Sequence, residues 1–214
     1  MDDSALPDLG LSAREVLTTT RSVRRRLDLS RPVEREVIRD AIEVAIQAPT
    51  GSNAQAWHWV IVEDPAKKAA LAELYGANAD PYFEILSGTD SSQFQAIVDS
   101  AVYLRRHLHQ VPAMVIPCLW GRIPDGVDNA MAAAFYGSIL PAAWSFMLAL
   151  RSRGLGSAWT TLHLGSEREA AEVLGIPYDR CSQVALLPVA YTVGTEFHPA
   201  RRAPLDSVLH WDQW

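Results

Sequence analysis

Apolar positions recur along the chain either every three to four residues or in short unbroken runs, which predicts helices interleaved with strands. Ser12-Ala13-Arg14-Glu15 matches a capping box, in which serine hydroxyl and glutamate carboxylate satisfy each other's backbone amides, so a short helix runs toward Thr20. A second helix is expected from near Pro32 to about Gln47. There Val37, Ile38, Ala41, Ile42, Ala45 and Ile46 form one stripe, with Glu34, Arg35, Arg39 and Glu43 pointing away. Pro49 cannot continue that helix. Aromatic and β-branched residues then predict a strand over Trp57–Val62. Asp64 and Pro65 open a helix as cap and first residue, with Leu71 and Leu74 facing in.

Residues 76–91 are polar and contain glycine, and read as a mobile flap carrying Tyr82 and Phe83. Phe94, Ile97, Ala101, Leu104 and Leu108 restore a helical spacing that ends before Pro112, and residues 113–119 read as a buried strand. Residues 129–153 are apolar on nearly every face. Such a helix is buried in the domain or against a second subunit, and Pro141 predicts a kink or break in it. A second capping box, Ser166-Glu167-Arg168-Glu169, opens a helix that Gly175 and Pro177 close, and residues 184–193 form a last strand covered on both faces. The helices are too long and too apolar for a doubly wound sheet, so the expected class is α+β, with helices covering a central sheet. Residues 1–10 lack apolar periodicity and are expected to be a disordered lead; residues 11–214 form one domain.

Composition narrows the function. A net charge of −6 and a pI near 5.5 argue against a nucleic-acid binder. The acidic start is unlike a signal peptide, and no uninterrupted apolar run reaches membrane-spanning length. Cys118 and Cys181 lie in apolar runs without a neighbouring Cys or His at ligand spacing, and read as buried free thiols of a cytoplasmic protein. No histidine has a partner at metal-ligand spacing, so no metal site is expected; His163 is either a structural histidine or part of a pocket wall.

Three stretches carry candidate chemistry. Residues 21–31 hold five arginines (Arg21, Arg24, Arg25, Arg26, Arg31) against one aspartate, a local charge of +4 in an acidic chain. Arginine's planar fork suits phosphate oxygens, although a solvated basic loop has the same composition. Arg201-Arg202, far downstream, is a second basic pair that could meet the same phosphate. Ala48-Pro49-Thr50-Gly51-Ser52-Asn53-Ala54-Gln55-Ala56-Trp57 offers backbone amides with little bulk, and Asn53 and Gln55, if extended, face one side. The same loop also reads as an ordinary helix-to-strand connection. Gly154-Leu155-Gly156 alone is a helix cap and turn.

In order, Arg21-Ser22-Val23-Arg24, the Ala48–Trp57 loop, Gly154-Leu155-Gly156-Ser157-Ala158-Trp159-Thr160-Thr161 and Arg201-Arg202 resemble the flavin-dependent nitroreductase family. The resemblance runs from Leu11 to the C-terminus. It implies an α+β sandwich forming an intertwined homodimer, with FMN at the interface. It implies that Arg21 holds phosphate, Ser22 contacts ribityl or phosphate, and Arg24 lies near the flavin pyrimidine, while Val23, Pro49 and Trp159 stand inside the same cofactor-binding stretches. Thr50, Ser52, Asn53 and Gln55 match the loop that reaches FMN, in many members that of the partner subunit; Thr160 and Thr161 match the wall behind the central ring; Arg202 with Arg201 matches the late phosphate clamp. Thr20 and Ala56 depart from the family's arginine and proline, and Arg25 or Arg201 is the candidate substitute for the former. The implied activity is transfer of hydride from NADPH or NADH to FMN and then to a nitroaromatic or quinone, by ping-pong turnover with no side-chain acid, base or nucleophile; Arg24 acts electrostatically. Three other readings stay open: a reductive dehalogenase or flavin-fragmenting relative, a non-catalytic FMN or deazaflavin store, and an interaction protein using its apolar helix to dimerise.

Overall fold

The computed structural model describes residues 6–86 and 92–214. The centre is an antiparallel sheet whose strands run in the order β1 (Trp57–Val62), β2 (Ala113–Trp120), β5 (Leu187–Tyr191), β3 (Leu155–Ser157), with β4 (Cys181–Gln183) paired to the other end of β2. β1 and β2 pair along their whole length, from Trp57 opposite Leu119 to Val62 opposite Met114. Successive side chains of β2 point to opposite faces, and each face has its own core. Met114, Ile116 and Cys118 pack with Leu71 and Tyr75 of α3 (Pro65–Leu86), Leu104 of α4 (Ser92–His107) and Ala170 of α7 (Glu167–Leu174). Ala113 and Val115 pack with Val37, Ile38 and Ala41 of α2 (Arg35–Ala45) and with Phe146 and Leu150 of α6 (Leu140–Ser152). Helices thus cover both faces of the sheet, as the expected α+β class requires.

The first capping box forms: Ser12 and Glu15 exchange their bonds at the start of α1 (Ala13–Thr19). Asp64 caps α3, its carboxylate accepting from the Lys67 amide at 2.9 Å. Other expectations are corrected. α2 starts at Arg35, three residues beyond Pro32, because Glu34 is extended and its carboxylate accepts the Tyr191 hydroxyl at 2.6 Å. The second capping box does not close. Ser166 Oγ accepts from Asn78 Nδ2 at 2.9 Å, while the Glu167 carboxylate accepts from Arg122 Nη1 (2.8 Å) and the Gln183 amide (2.9 Å). Gly175 does end α7, with φ at +70°. The run 184–193 is not one strand: only Leu187–Tyr191 belongs to β5.

Residues 76–86 of the expected flap are the last turns of α3, and residues 87–91 lie outside the described residues. The glycine there is a packing device. Arg105 of α4 lays its guanidinium on the bare backbone of Gly76 and pairs with Asp80 through both oxygens (2.8 and 3.0 Å). Of the expected lead, residues 6–10 are held on α6: the Leu9 amide donates to Ser152 O at 2.8 Å and Arg153 pairs with Asp8.

Pro141 divides 129–153 as expected, into α5 (Asn129–Gly137) and α6. Contrary to the expectation that no apolar run is long enough, residues 129–152 pass for a membrane span by length and composition. The helix break and the burial of α6 against the sheet account for that apolarity in its second half. α5 has no buried residue and leaves Met131 and Tyr136 exposed.

Candidate functional site

The basic segment acts as an extra strand beside the sheet. Ser22 bridges Ser157 in parallel, the Val23 amide donates to Ser157 O and the Asp28 amide to Tyr191 O, each at 2.8 Å. The approach is close enough that residue 156 must be glycine: a Cβ there would lie 2.7 Å from Thr192 Cγ2 and 2.9 Å from Val23 Cβ. Because Val23 turns its side chain into the core, its neighbours are thrown outward, and Arg24 enters a cleft of about 450 Å³.

Trp159, Thr160 and Thr161, which follow β3, form one wall of this cleft; Tyr75, Tyr82 and Phe83 of α3 form another. Thr160 is committed to the fold: its hydroxyl and amide both donate to Leu186 O, at 2.7 and 3.3 Å, and its carbonyl accepts from the Leu186 amide at 2.8 Å. The wall therefore presents to a flat guest a fixed backbone surface and the hydroxyl of Thr161, which has no hydrogen-bond partner among the described residues. Among the described lining residues Arg24 alone is charged. It is half-buried, makes one hydrogen bond, to Ser100 Oγ at 3.3 Å, and has no ion pair among the described residues. Burial holds its guanidinium below the usual arginine range. Beside it the buried Tyr75 phenol is pushed up to about 12, mainly by desolvation and against the pull of Arg24, so it stays a neutral hydrogen-bond donor.

The remaining expected site residues lie elsewhere. Arg25 lines a separate surface hollow with Tyr103 and Arg106. Arg21 is half-exposed, Ser22 is exposed, and neither borders the cleft. Arg201 and Arg202 sit on an exposed C-terminal segment. That segment leaves from beside the basic stretch, where Arg26 donates to the carbonyl oxygens of Val193, Gly194 and Glu196 at 2.9, 2.6 and 2.9 Å.

The loop after Pro49 forms a second surface, against α5. Gly51 N donates to Ser138 Oγ at 3.0 Å, and Gln55 N to Thr50 Oγ1 at 3.2 Å. Contrary to the extended expectation, Ser52, Asn53 and Gln55 are left-handed, with φ of 53°, 51° and 50°; their amides still meet, Gln55 Nε2 donating to Asn53 Oδ1 at 3.1 Å. His163 is structural, fully buried and outside the cleft lining. Tyr75 went unnoticed in the sequence, where it is one more apolar position of a helical stripe.

The sequence profile described as the nitroreductase family matches residues 17–191. The chain belongs to the nitroreductase family. Over 218 aligned residues it is 29% identical to an NADH dehydrogenase of Thermus thermophilus, covering 94% of this chain and 96% of that one. Its fold is similar to that of an oxidised iodotyrosine deiodinase crystallised with FMN and 3-iodo-L-tyrosine, with a TM-score of 0.72 at 20% identity over 94% of this chain and 99% of the other. It is also similar to an FMN- and NADPH-dependent nitroreductase of sphigopyxis sp. strain HMH, with a TM-score of 0.67 at 19% identity over 95% and 100%. Within this nitroreductase-family chain, the Arg24 cleft and the left-handed loop are two surfaces with unusual chemistry. They face different neighbours.

Proposed function

We propose that the chain is an FMN-dependent NAD(P)H oxidoreductase that passes reducing equivalents to a nitroaromatic or quinone acceptor. The observation that carries this reading is Arg24, a half-buried guanidinium without a carboxylate partner among the described residues, set in an otherwise uncharged cleft. A cation there favours whichever state of a bound ring carries more negative charge. When bound, FMN supplies the hydride and electron chemistry. The chain supplies the rest. Trp159, Phe83 and their neighbours exclude water, the Thr160 backbone and the Thr161 hydroxyl fix the plane, and Arg21 and Ser22, with Arg201 and Arg202 from the segment leaving beside them, take the phosphate. Val23 contributes backbone only, since its side chain is buried. In this reading Pro49, Thr50, Ser52, Asn53 and Gln55 complete the cleft of a second copy in a homodimer, which accounts for a loop that turns away from its own cleft. The buried free thiols of Cys118 and Cys181 suit the reducing cytoplasm where NADH and NADPH are available.

The likeness to an iodotyrosine deiodinase supports a second reading, in which the same cleft serves an FMN-dependent reductive dehalogenation. The deciding experiment is the visible spectrum of the purified protein, followed by NADH or NADPH oxidation with menadione. A yellow protein that releases FMN and gives parallel initial-rate lines supports the proposal. Intersecting lines overturn the shared-cleft scheme, a yellow protein without turnover makes it a store, and a colourless one that takes up no FMN ends the reading.

A further inference from the structure

α6 ends in a buried guanidinium that the Arg24 cleft does not use. Arg151 is 5% exposed; its Nη2 donates to Thr19 Oγ1 at 3.3 Å, while Nε and Nη1 are sealed without a hydrogen-bond partner among the described residues. Its charged neighbours are a cation, Arg26, and Glu15, whose carboxylate attracts it without forming an ion pair or a hydrogen bond with it. Arg26 and Arg151 both stack on the Phe197 ring, 4.2 and 5.0 Å from its centroid, and neither has an ion pair among the described residues. Burial, and then the charge of Arg26, hold the Arg151 guanidinium below the usual arginine range against the weaker pull of Glu15. A buried charge left unpaired beside a like charge is a large cost to a fold, and an anion removes it.

There is room for one. Arg151 and Thr19 border a cavity of about 450 Å³ between α1, the end of α6 and the segment after β5, where Leu9, Leu11 and Phe197 supply apolar walls and His198 a further donor. Two acids also line it. The Glu15 carboxylate is committed to the Ser12 amide and hydroxyl at 2.8 and 2.6 Å, and Glu196 stands exposed at the rim.

We propose that this cavity is an oxyanion site distinct from the Arg24 cleft, which takes the phosphate group of a small phosphoester or inorganic phosphate. Rotation of Phe197 uncovers Nε and Nη1, which receive two oxygens as a fork, and the Thr19 hydroxyl, which now donates to Glu15 O at 2.6 Å, turns its proton to a third. The apolar walls and the volume, larger than a bare phosphate needs, favour an ester with an apolar body. The experiment is calorimetric titration of FMN-saturated protein with inorganic phosphate and with phenyl phosphate, against benzoate and chloride at matched ionic strength. Both phosphates are expected to bind, phenyl phosphate more tightly; equal affinity identifies inorganic phosphate as the ligand. Arg151→Met should weaken either at least tenfold and Thr19→Val several-fold, with FMN affinity and spectrum unchanged. In phosphate-free buffer Arg151→Met should melt no lower than the parent, because it removes an unpaired charge. Absence of binding to the FMN-saturated parent overturns the proposal, as does undiminished binding by Thr19→Val and Arg151→Met. Binding only to FMN-free protein also overturns it, because the cavity would then be where the cofactor's own phosphate lies. Should Arg151→Met melt lower, or not fold, the guanidinium is paired after all and the premise fails.

Discussion

At the scale of single residues, His163 gives the sharpest forecast. Both ring nitrogens lack a hydrogen-bond partner among the described residues, and burial, only partly offset by the Gln183 side chain beside it, pushes its pKa down to about 4. The unfolded chain therefore binds a proton that the folded chain refuses between pH 6.5 and 4. Stability is fully present above pH 6.5 and falls as pH drops through that window, by about 3 kcal/mol from this one group. Chemical denaturation across pH 4–7 should show a shallower slope in His163→Gln than in the parent, whatever the absolute stability of that variant, the carboxylates of Glu15, Asp28 and Glu34 keeping their own share at the acid end. An unchanged slope would mean that the imidazole is protonated in the fold. Arg24 illustrates how far residue-level reading went. Its charge and its place in Arg21-Ser22-Val23-Arg24 were visible in the sequence, and it does enter the cleft with Trp159, Thr160 and Thr161. Tyr75 was not legible, because nothing local distinguishes a phenol at a cleft wall from a core aromatic; the packing of α3 against the basic segment decides it.

Among the elements, those set by local chemistry were legible: the Ser12 capping box, Asp64-Pro65 at the head of α3, the break at Pro141. Those decided by distant partners were not. Ser166 and Glu169 have capping-box identities, yet the Ser166 hydroxyl accepts from Asn78 and caps nothing, while the intervening Glu167 is held by Arg122 and Gln183. Polarity at residues 76–86 suggested a flap, and the Arg105–Asp80 pairing across Gly76 makes it helix. The loop after Pro49 concealed its geometry most. Three non-glycine residues in the left-handed region cost roughly 1–2 kcal/mol each, and such strain is kept where it fixes functional groups. Gln55→Gly removes one of these costs while adding roughly 0.5–1 kcal/mol of unfolded-chain entropy. The variant should therefore melt at or slightly above the parent temperature, and bind FMN more weakly. A melting temperature several degrees lower would show that the Gln55 side chain is structural.

For the whole molecule, the question is what covers its exposed apolar surface. Met131 and Tyr136 of α5 and Leu140 and Trp144 of α6 face outward, and the C-terminal segment adds Leu205, Val208, Trp211 at 79% exposure and a completely exposed Trp214. Single exposed apolar residues are common, but an outer helix and a trailing segment that both expose large ones are what the proposed homodimer would cover. The loop hydrogen-bonded to Ser138 sits on that same α5 surface, so pairing two copies there carries each loop toward its partner. The trailing segment also carries Arg201 and Arg202, so one strap would serve both the interface and the phosphate. Deleting residues 204–214 tests the two roles separately, because both arginines remain. Light scattering should then show a monomer at concentrations where the full chain is a dimer, and FMN should be lost in proportion to the monomer formed, with the far-ultraviolet spectrum of the sheet and helices retained. If the shortened chain stays dimeric and yellow, the strap is dispensable and α5 alone makes the contact. If it stays dimeric but loses FMN, the segment serves the cofactor and not the interface.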